Sequence, residues 1–386
     1  MGSKTKVVLL GATGSIGSSA LKVLRERSDR LELIGIAANR NIDALAAIAE
    51  EFSVENVAIY NEGAWKEAGD RAIMPSGTRL LCGEEGLCEL ASLPDCDVAL
   101  VAVVGTRGLM PALAAIESGA KLAVASKEIL VLAGKFVTQA AQAKNTPILP
   151  VDSEHNALFQ CLEGIPSDHI RRLLLTASGG SVRDLPLERF EEITVEKALA
   201  HPNWDMGPKV TLDSATMANK GLEMIEAKWL FGVEARQIDV VIHTQSIVHS
   251  MVECIDRSVI AQLSPPDMTF AIQHALLYPD RAENVTTGLD FAEAFNLDFR
   301  PVESARYPCL GLARNAMEVC GVAPGVFNAA NEIAVDAFVA GRIKFVEIAK
   351  IVEKTLETID NVEPSSIEEV LEYDTKARRI AADLIS

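Results

Sequence analysis

The sequence predicts an α/β protein in which an N-terminal doubly wound parallel sheet is followed by an α+β domain and a C-terminal helical bundle. Three observations carry this. From residue 6 to about 150, short apolar, β-branched runs alternate with stretches of helical spacing; from about 151 to 270 the order turns irregular; beyond 301 helical spacing dominates. In the first region 7–10, 31–37, 56–59, 97–104, 122–125 and 147–151 read as strands, and their alternation with helices implies parallel pairing. In the second, 171–177, 240–243, 248–254 and 259–263 read as strands around a helix over 214–231. Residues 280–301 lack sustained periodicity and read as a linker, after which 307–320, 327–340, 345–359 and 366–384 show helical spacing. The expected divisions are therefore 1–150, 151–279, the linker 280–301, and 302–386.

The bulk numbers narrow the function. A chain of 386 residues exceeds one ordinary domain. No apolar run approaches the ~18 residues that would suggest a bilayer span, so no membrane partner is expected. A formal net charge of −18 argues against nucleic acid, whose phosphates need clustered Lys and Arg; an anionic ligand would need a local basic pocket. Seven cysteines without a C-x-x-C pair suggest reduced thiols in a reducing cytosol. The strand-like run at 6–10 leaves no room for a signal peptide ahead of it, and a cytoplasmic location is expected.

Gly11-Ala12-Thr13-Gly14-Ser15-Ile16-Gly17 follows the first strand and opens a helix. Its glycines allow a tight turn, and the helix N-terminus can face a pyrophosphate, the arrangement of a Rossmann-like domain. The spacing G-x-x-G-x-x-G departs from G-x-G-x-x-G and is weak without the flanking strand and helix. At the end of the second strand an NAD-binding chain usually offers Asp or Glu to the ribose hydroxyl; this one offers Ala38-Asn39-Arg40-Asn41. Arg40 suits a 2′-phosphate, so NADPH is the expected cofactor.

Asp152-Ser153-Glu154 follows the strand at 147–151, at the carboxyl end of the sheet where open α/β folds bind ligands. Two carboxylates at i and i+2 can converge on a hard divalent ion such as Mg2+ or Mn2+; equally, Asp152 or Ser153 can cap the helix that follows. In the stretch from Asp213 to Glu223, Asn219, Lys220 and Glu223 recur at helical spacing and share one surface, a pattern suited to phosphate and metal, with nearby Glu226 taken as a solvated charge. His201-Pro202-Asn203-Trp204-Asp205-Met206-Gly207-Pro208-Lys209 excludes regular structure and reads as a lid. Ser178-Gly179-Gly180-Ser181 can donate hydroxyl and backbone groups to phosphate, or be a plain turn. His243 and His249 carry low weight as ligands, and Asn328 to Glu332 reads as a helix start, with capping its role.

Taken together, these motifs resemble the 1-deoxy-D-xylulose 5-phosphate reductoisomerase family over essentially the whole chain. The most specific matches are Leu149 to Asn156, His201 to Gly207, and Asp213 to Glu223. The resemblance implies that Asp152, Glu154 and Glu223 bind Mg2+ or Mn2+, with Co2+ a further candidate, and that Lys127 and Ser153 meet the substrate beside them. It implies that Ser178, His201, Ser214, Asn219 and Lys220 hold the phosphorylated sugar, that Trp204 and Met206 belong to the lid, and that Thr13, Gly14, Ser15, Ile16, Asn39, Arg40, Asn41, Ser126, Glu128 and Gly207 serve NADPH. The implied reaction rearranges the carbon skeleton of 1-deoxy-D-xylulose 5-phosphate and reduces the product to 2-C-methyl-D-erythritol 4-phosphate, in the non-mevalonate isoprenoid pathway; a homodimer is implied as well. Three positions depart from the family pattern: Ser126 where Asn is usual before Lys-Glu, Asp205 where Ser is common, and Thr244 in place of Pro after His243. Two other readings of such a fold, a metal-independent NADP dehydrogenase and a non-enzymatic NADPH sensor, would differ in their response to metal removal and in turnover.

Overall fold

The computed structural model describes residues 3–68, 74–201, 204, 207–292 and 295–385. In chain order, β1 (Thr5–Leu10), α1 (Ser15–Glu26), β2 (Leu31–Ala38), α2 (Ile42–Phe52), β3 (Asn56–Ile59), α3 (Glu62–Ala68), β4 (Arg79–Cys82), α4 (Gly83–Ala91), β5 (Val98–Val101), α5 (Leu109–Ser118), β6 (Lys121–Val124), α6 (Glu128–Lys144) and β7 (Ile148–Pro150) alternate strand and helix. The seven strands pair in parallel in the order β4-β3-β2-β1-β5-β6-β7. The central strands are apolar because helices cover both faces: Val7 to Leu10 and Val98 to Val101 are all buried. Between β1 and β5 the winding reverses, and the crevice at that switch point is where such sheets take a ligand.

The expected strands are present, and β4 is an addition. Four residues at the sheet edge, none of them fully buried and none β-branched, carry no strand pattern a sequence reading could catch.

The second half runs α7 (Ser153–Cys161), β8 (Ile170–Ala177), α8 (Val195–Leu199), α9 (Pro208–Thr216), α10 (Ala218–Phe231), β9 (Ile238–Ile242), β10 (Val248–Cys254), β11 (Val259–Leu263) and α11 (Thr269–Leu277), then α12 (Pro308–Val319), α13 (Ala323–Val339), α14 (Glu347–Thr358) and α15 (Ile367–Ile385). Its sheet has the order β11-β10-β8-β9, antiparallel except for β8 and β9. The single helix expected over 214–231 is two, because Met217 takes a left-handed conformation (φ +61°) that ends α9 and starts α10. The motif Asn328 to Glu332 lies inside α13, not at a helix start: Pro324 occupies the first turn, so the asparagines fall where capping is impossible.

The compact units are drawn differently from the expected spans. One comprises Met1–Ile129, Val137–Asn156 and Asp267–Gly288; the other Leu130–Phe136, Ala157–Pro266 and Leu289–Ser386. Residues 267–288 join the first unit because α11 packs on α1, and Lys22 and Lys121 reach Thr286 Oγ1 and the Tyr278 carbonyl at 3.2 and 3.1 Å. The C-terminal helices share a core with the small sheet, since Leu173 and Leu175 of β8, Leu222 and Ile225 of α10, and Phe327 and Val335 of α13 belong to one buried cluster, and they add a smaller one of their own around Val326, Ala329, Ile359 and Ala377. Among the described residues no helix is long and apolar enough to cross a membrane.

Candidate active site

In the first unit, β1 passes into α1 through Gly11 to Gly14. Gly11 has φ +97°, and a Cβ there would lie 2.2 Å from the Ala102 carbonyl oxygen; one on Gly17 would lie 2.3 Å from the Gly11 oxygen. The turn therefore exists only with glycine at both places. Gly14 caps α1 without any side-chain acceptor, and no acidic residue stands in the first turn, which leaves the helix start suited to an anion beside Thr13, Ser15 and Ile16. Asn39, Arg40 and Asn41 are exposed at the end of β2. The Asn41 amide oxygen accepts from Ala44 N–H at 3.1 Å and caps α2, so its remaining donors face outward.

Ser126 is buried after β6, and its hydroxyl donates to the Val103 carbonyl at 2.5 Å. This side chain is spent on its own backbone, whereas an Asn would have amide groups to spare. Glu128 is buried at the first residue of α6. The Lys127 ammonium lies 2.7 Å from Asp152 Oδ2. Burial works against charge on Asp152, but the Lys127 charge and hydrogen bond, with His155 4.0 Å away, hold its carboxyl well below the usual carboxylate range. Asp152 Oδ1 also accepts from Glu154 N–H at 3.4 Å at the start of α7, so the backbone contact and the Lys127 pair employ different oxygens. The Ser153 hydroxyl donates to Glu154 Oε2 at 2.5 Å. Asn156 donates to His274 Nδ1 at 3.2 Å, a long-range contact that no local pattern announces.

In the second unit, β8 ends in Ser178-Gly179-Gly180. His201 Nδ1 accepts from Trp204 N–H at 3.0 Å, and a backbone N–H can only donate, so the proton of the neutral ring sits on Nε2. Nε2 then donates to Ser178 Oγ at 2.8 Å, and Gly180 N–H donates to the same oxygen at 3.1 Å. With both lone pairs taken, the Ser178 hydroxyl is left to act as a donor. Burial, with the Arg183 charge, pushes His201 down to about 4, which keeps it neutral near pH 7. The half-buried Trp204 ring is tilted against His249 at 6.3 Å, docking this part of the expected lid on its own unit. Met206, like Pro202, Asn203 and Asp205, lies outside the described residues.

Gly207 caps α9. The Ser214 hydroxyl donates back to the Val210 carbonyl at 2.9 Å. Buried Asp213 meets Lys209 Nζ and Asn331 Nδ2, each at 2.8 Å; the Asn331 partnership, across 118 residues, replaces the capping role expected from sequence. On α10 the spacing argument holds: Asn219 Nδ2 donates to Glu223 Oε1 at 2.5 Å and Lys220 pairs with Glu223 Oε2, with Lys220 and Glu223 both buried. Glu226, expected to be solvated, is buried too, because α10 is enclosed on most of its circumference. His243 is structural: it stacks on Phe299 at 4.7 Å, and its Nε2 accepts from Ile247 and Val248 N–H. Thr244 donates to Gln245 Oε1 at 3.3 Å. Sequence reasoning missed Arg183, Tyr307 and Asn331, whose roles rest on contacts far along the chain.

A glycine turn at the switch point of a parallel sheet, with a separate unit bearing hydroxyl, imidazole, ammonium and carboxylate groups, defines an oxidoreductase of the Rossmann class. Family models described as 1-deoxy-D-xylulose 5-phosphate reductoisomerase, its C-terminal domain, and DXP reductoisomerase C-terminal domain match residues 7–134, 148–231 and 263–380. Proteins named 1-deoxy-D-xylulose 5-phosphate reductoisomerase from Geobacillus sp. (strain WCH70) and Bacillus cereus (strain Q1) are 47% and 46% identical over 380 residues, covering 98% of this chain and 99% of each relative. The Zymomonas mobilis enzyme solved with NADPH superposes with a TM-score of 0.92 at 41% identity over 100% of both chains. A DOX-P reductoisomerase solved with NADPH, fosmidomycin and magnesium gives 0.91 at 39% identity, covering 99% of this chain and 98% of that one. The chain belongs to the 1-deoxy-D-xylulose 5-phosphate reductoisomerase family.

Proposed function

We propose that this chain converts 1-deoxy-D-xylulose 5-phosphate to 2-C-methyl-D-erythritol 4-phosphate with NADPH and Mg2+ or Mn2+, in the cytoplasm. The observation that carries the reading is Asp152, a carboxylate its surroundings keep ionised, beside Glu154 at the carboxyl end of β7 in the unit with the glycine turn. The relatives' full-length identity and the NADPH and magnesium in their structures support it.

The donors fit a hard divalent ion: Asp152, Glu154 and Glu223 are all carboxylates, and Asp152 and Glu223 already attract a cation each, Lys127 and Lys220. When bound, NADPH supplies hydride and the metal supplies positive charge at neighbouring substrate oxygens. Thr13 to Ile16 would hold the pyrophosphate on the α1 N-terminus, Arg40 would select the 2′-phosphate, and Glu128 and Gly207 would serve the nicotinamide end. Ser178, through its free proton, and Ser214, Asn219 and Lys220 hold the substrate and its phosphate. Ser214 releases its bond to Val210 to do so. His201 ties Ser178 to Trp204, so that the lid and the substrate loop share one ring. Closure of the lid to which Trp204 and Met206 are assigned would exclude water from the fragments formed when the skeleton rearranges.

The test is NADPH oxidation with 1-deoxy-D-xylulose 5-phosphate by metal-stripped protein, before and after Mg2+ or Mn2+ is restored. Oxidation only after restoration is the expected result. Equal oxidation without metal would point to a metal-independent dehydrogenase, and NADPH binding without turnover to a sensor.

A homodimer completes the reading. β11 is an edge strand whose Val259 and Ile260 are half exposed, with Ile255 open beside them; an apolar edge of this kind invites pairing with a second copy. Light scattering should give twice the chain mass, falling to the monomer value in Ile260→Lys; a monomeric wild-type protein would overturn this.

A further inference from the structure

We propose that Tyr307 is a positioning residue for substrate binding: its phenol fixes the Gly179 carbonyl and thereby aims the Ser178 hydroxyl at the phosphorylated substrate. The proposal rests on the reading of Ser178 given above and adds what holds it in place.

Gly179 and Gly180 are consecutive left-handed residues (φ +82° and +69°), and two glycines in series give the least constrained backbone available. A hydroxyl carried on such a loop needs external anchors to keep one direction. Within the loop, Gly180 N–H donates to Ser178 Oγ at 3.1 Å; from outside it, His201 Nε2 donates to the same oxygen at 2.8 Å, Arg183 donates to the Ser178 carbonyl at 2.9 Å, and Tyr307 Oη donates to the Gly179 carbonyl at 2.8 Å. Tyr307 is the anchor on the Gly179 peptide. It stands at the N-cap of α12, 128 residues away, with 1% of its surface exposed. Burial pushes its hydroxyl up to about 12, so it remains a neutral donor across the working range.

The same contact bears on a second substrate group. A Cβ on Gly180 would lie 2.5 Å from the Ser214 carbonyl oxygen, so the loop presses directly on the backbone that carries the Ser214 hydroxyl. Moving the Gly179 peptide changes where Ser178 stands relative to Ser214. Phenylalanine would fill the same apolar space; the hydroxyl is what distinguishes a loop anchor from a core residue.

The experiment is a double-mutant cycle on the holoenzyme with NADPH and Mg2+: wild type, Tyr307→Phe, Ser178→Ala and the double variant, with KM and kcat for 1-deoxy-D-xylulose 5-phosphate and a dissociation constant for NADPH. Tyr307→Phe should raise KM roughly tenfold, the loss of one anchoring hydrogen bond, with kcat within about twofold and NADPH affinity unchanged. In the Ser178→Ala background the same change should add almost nothing, because the anchor then has no hydroxyl to aim. A purely structural phenol would act equally in both backgrounds. If Ser178→Ala itself leaves KM unchanged, the reading of Ser178 as a substrate group fails and the proposal with it. If Ser178→Ala raises KM while Tyr307→Phe has no effect, or adds in full, the positioning role alone is overturned.

Discussion

Glu223 receives a hydrogen bond from Asn219 and an ion pair from Lys220, so both its oxygens are directed before any ligand arrives. Glu223→Gln keeps the size and one acceptor for Lys220 but removes the charge a divalent ion needs. Turnover at limiting metal should fall roughly a hundredfold or more with the circular dichroism spectrum unchanged; full activity at limiting Mg2+ would take Glu223 out of the metal set. Arg40 is exposed, and on the proposed reading it meets the cofactor's 2′-phosphate. Arg40→Glu should therefore raise the KM for NADPH about tenfold or more while leaving NADH nearly unaffected, and parallel losses with both would refute the assignment. The placements of these residues were legible because they follow local rules, namely helical spacing for Glu223 and a position after β2 for Arg40. Asp213 was legible only in part: its neighbour Lys209 lies one turn away, but its other partner, Asn331, is brought in by the packing of α13, which no spacing rule reports.

At the scale of elements, the glycine turn after β1 makes the sharpest demand. A Cβ on Gly11 would collide with the Ala102 carbonyl, and φ +97° strains any L side chain. Gly11→Ala should cost about 1–3 kcal/mol of stability and weaken NADPH binding at least about tenfold, measured by urea unfolding and by NADPH fluorescence titration. An unchanged dissociation constant would mean that the turn does not shape the pyrophosphate site. Central strands were readable because burial on both faces forces continuous apolar runs, as in Val98 to Val101. β4 was not, since an exposed edge imposes no such pattern. The break at Met217 escaped for a different reason: its side chain is buried, and tertiary packing holds it in a left-handed conformation that its sequence does not favour. The same competition explains α13, where Asn328 and Asn331 sit fully buried mid-helix among residues that propensity alone would place at an end.

For the whole molecule, neither compact unit is a continuous stretch of chain, a division that no local pattern reports; the residues just after α11 are tied to the first unit by Lys22 and Lys121. Each unit nevertheless carries one histidine with the same electrostatic problem. His274 in the first and His201 in the second are both pushed down to about 4, by burial and then by the charges of Arg281 and Arg183. In the unfolded chain both would titrate near 6.5. As pH falls from about 6.5 toward 4 the unfolded chain therefore binds protons that the folded chain refuses, so stability held above 6.5 is lost through that window. The urea midpoint should decline steadily between pH 7 and pH 5, above the range in which the depressed carboxylates contribute. The variant carrying both His201→Gln and His274→Gln should show a distinctly shallower decline, since its two amides hydrogen-bond without titrating. A double variant as acid-sensitive as wild type would place the loss elsewhere. The falling charge repulsion of a chain that carries −18 at neutral pH acts in the opposite direction, so the observed decline is the smaller, net effect.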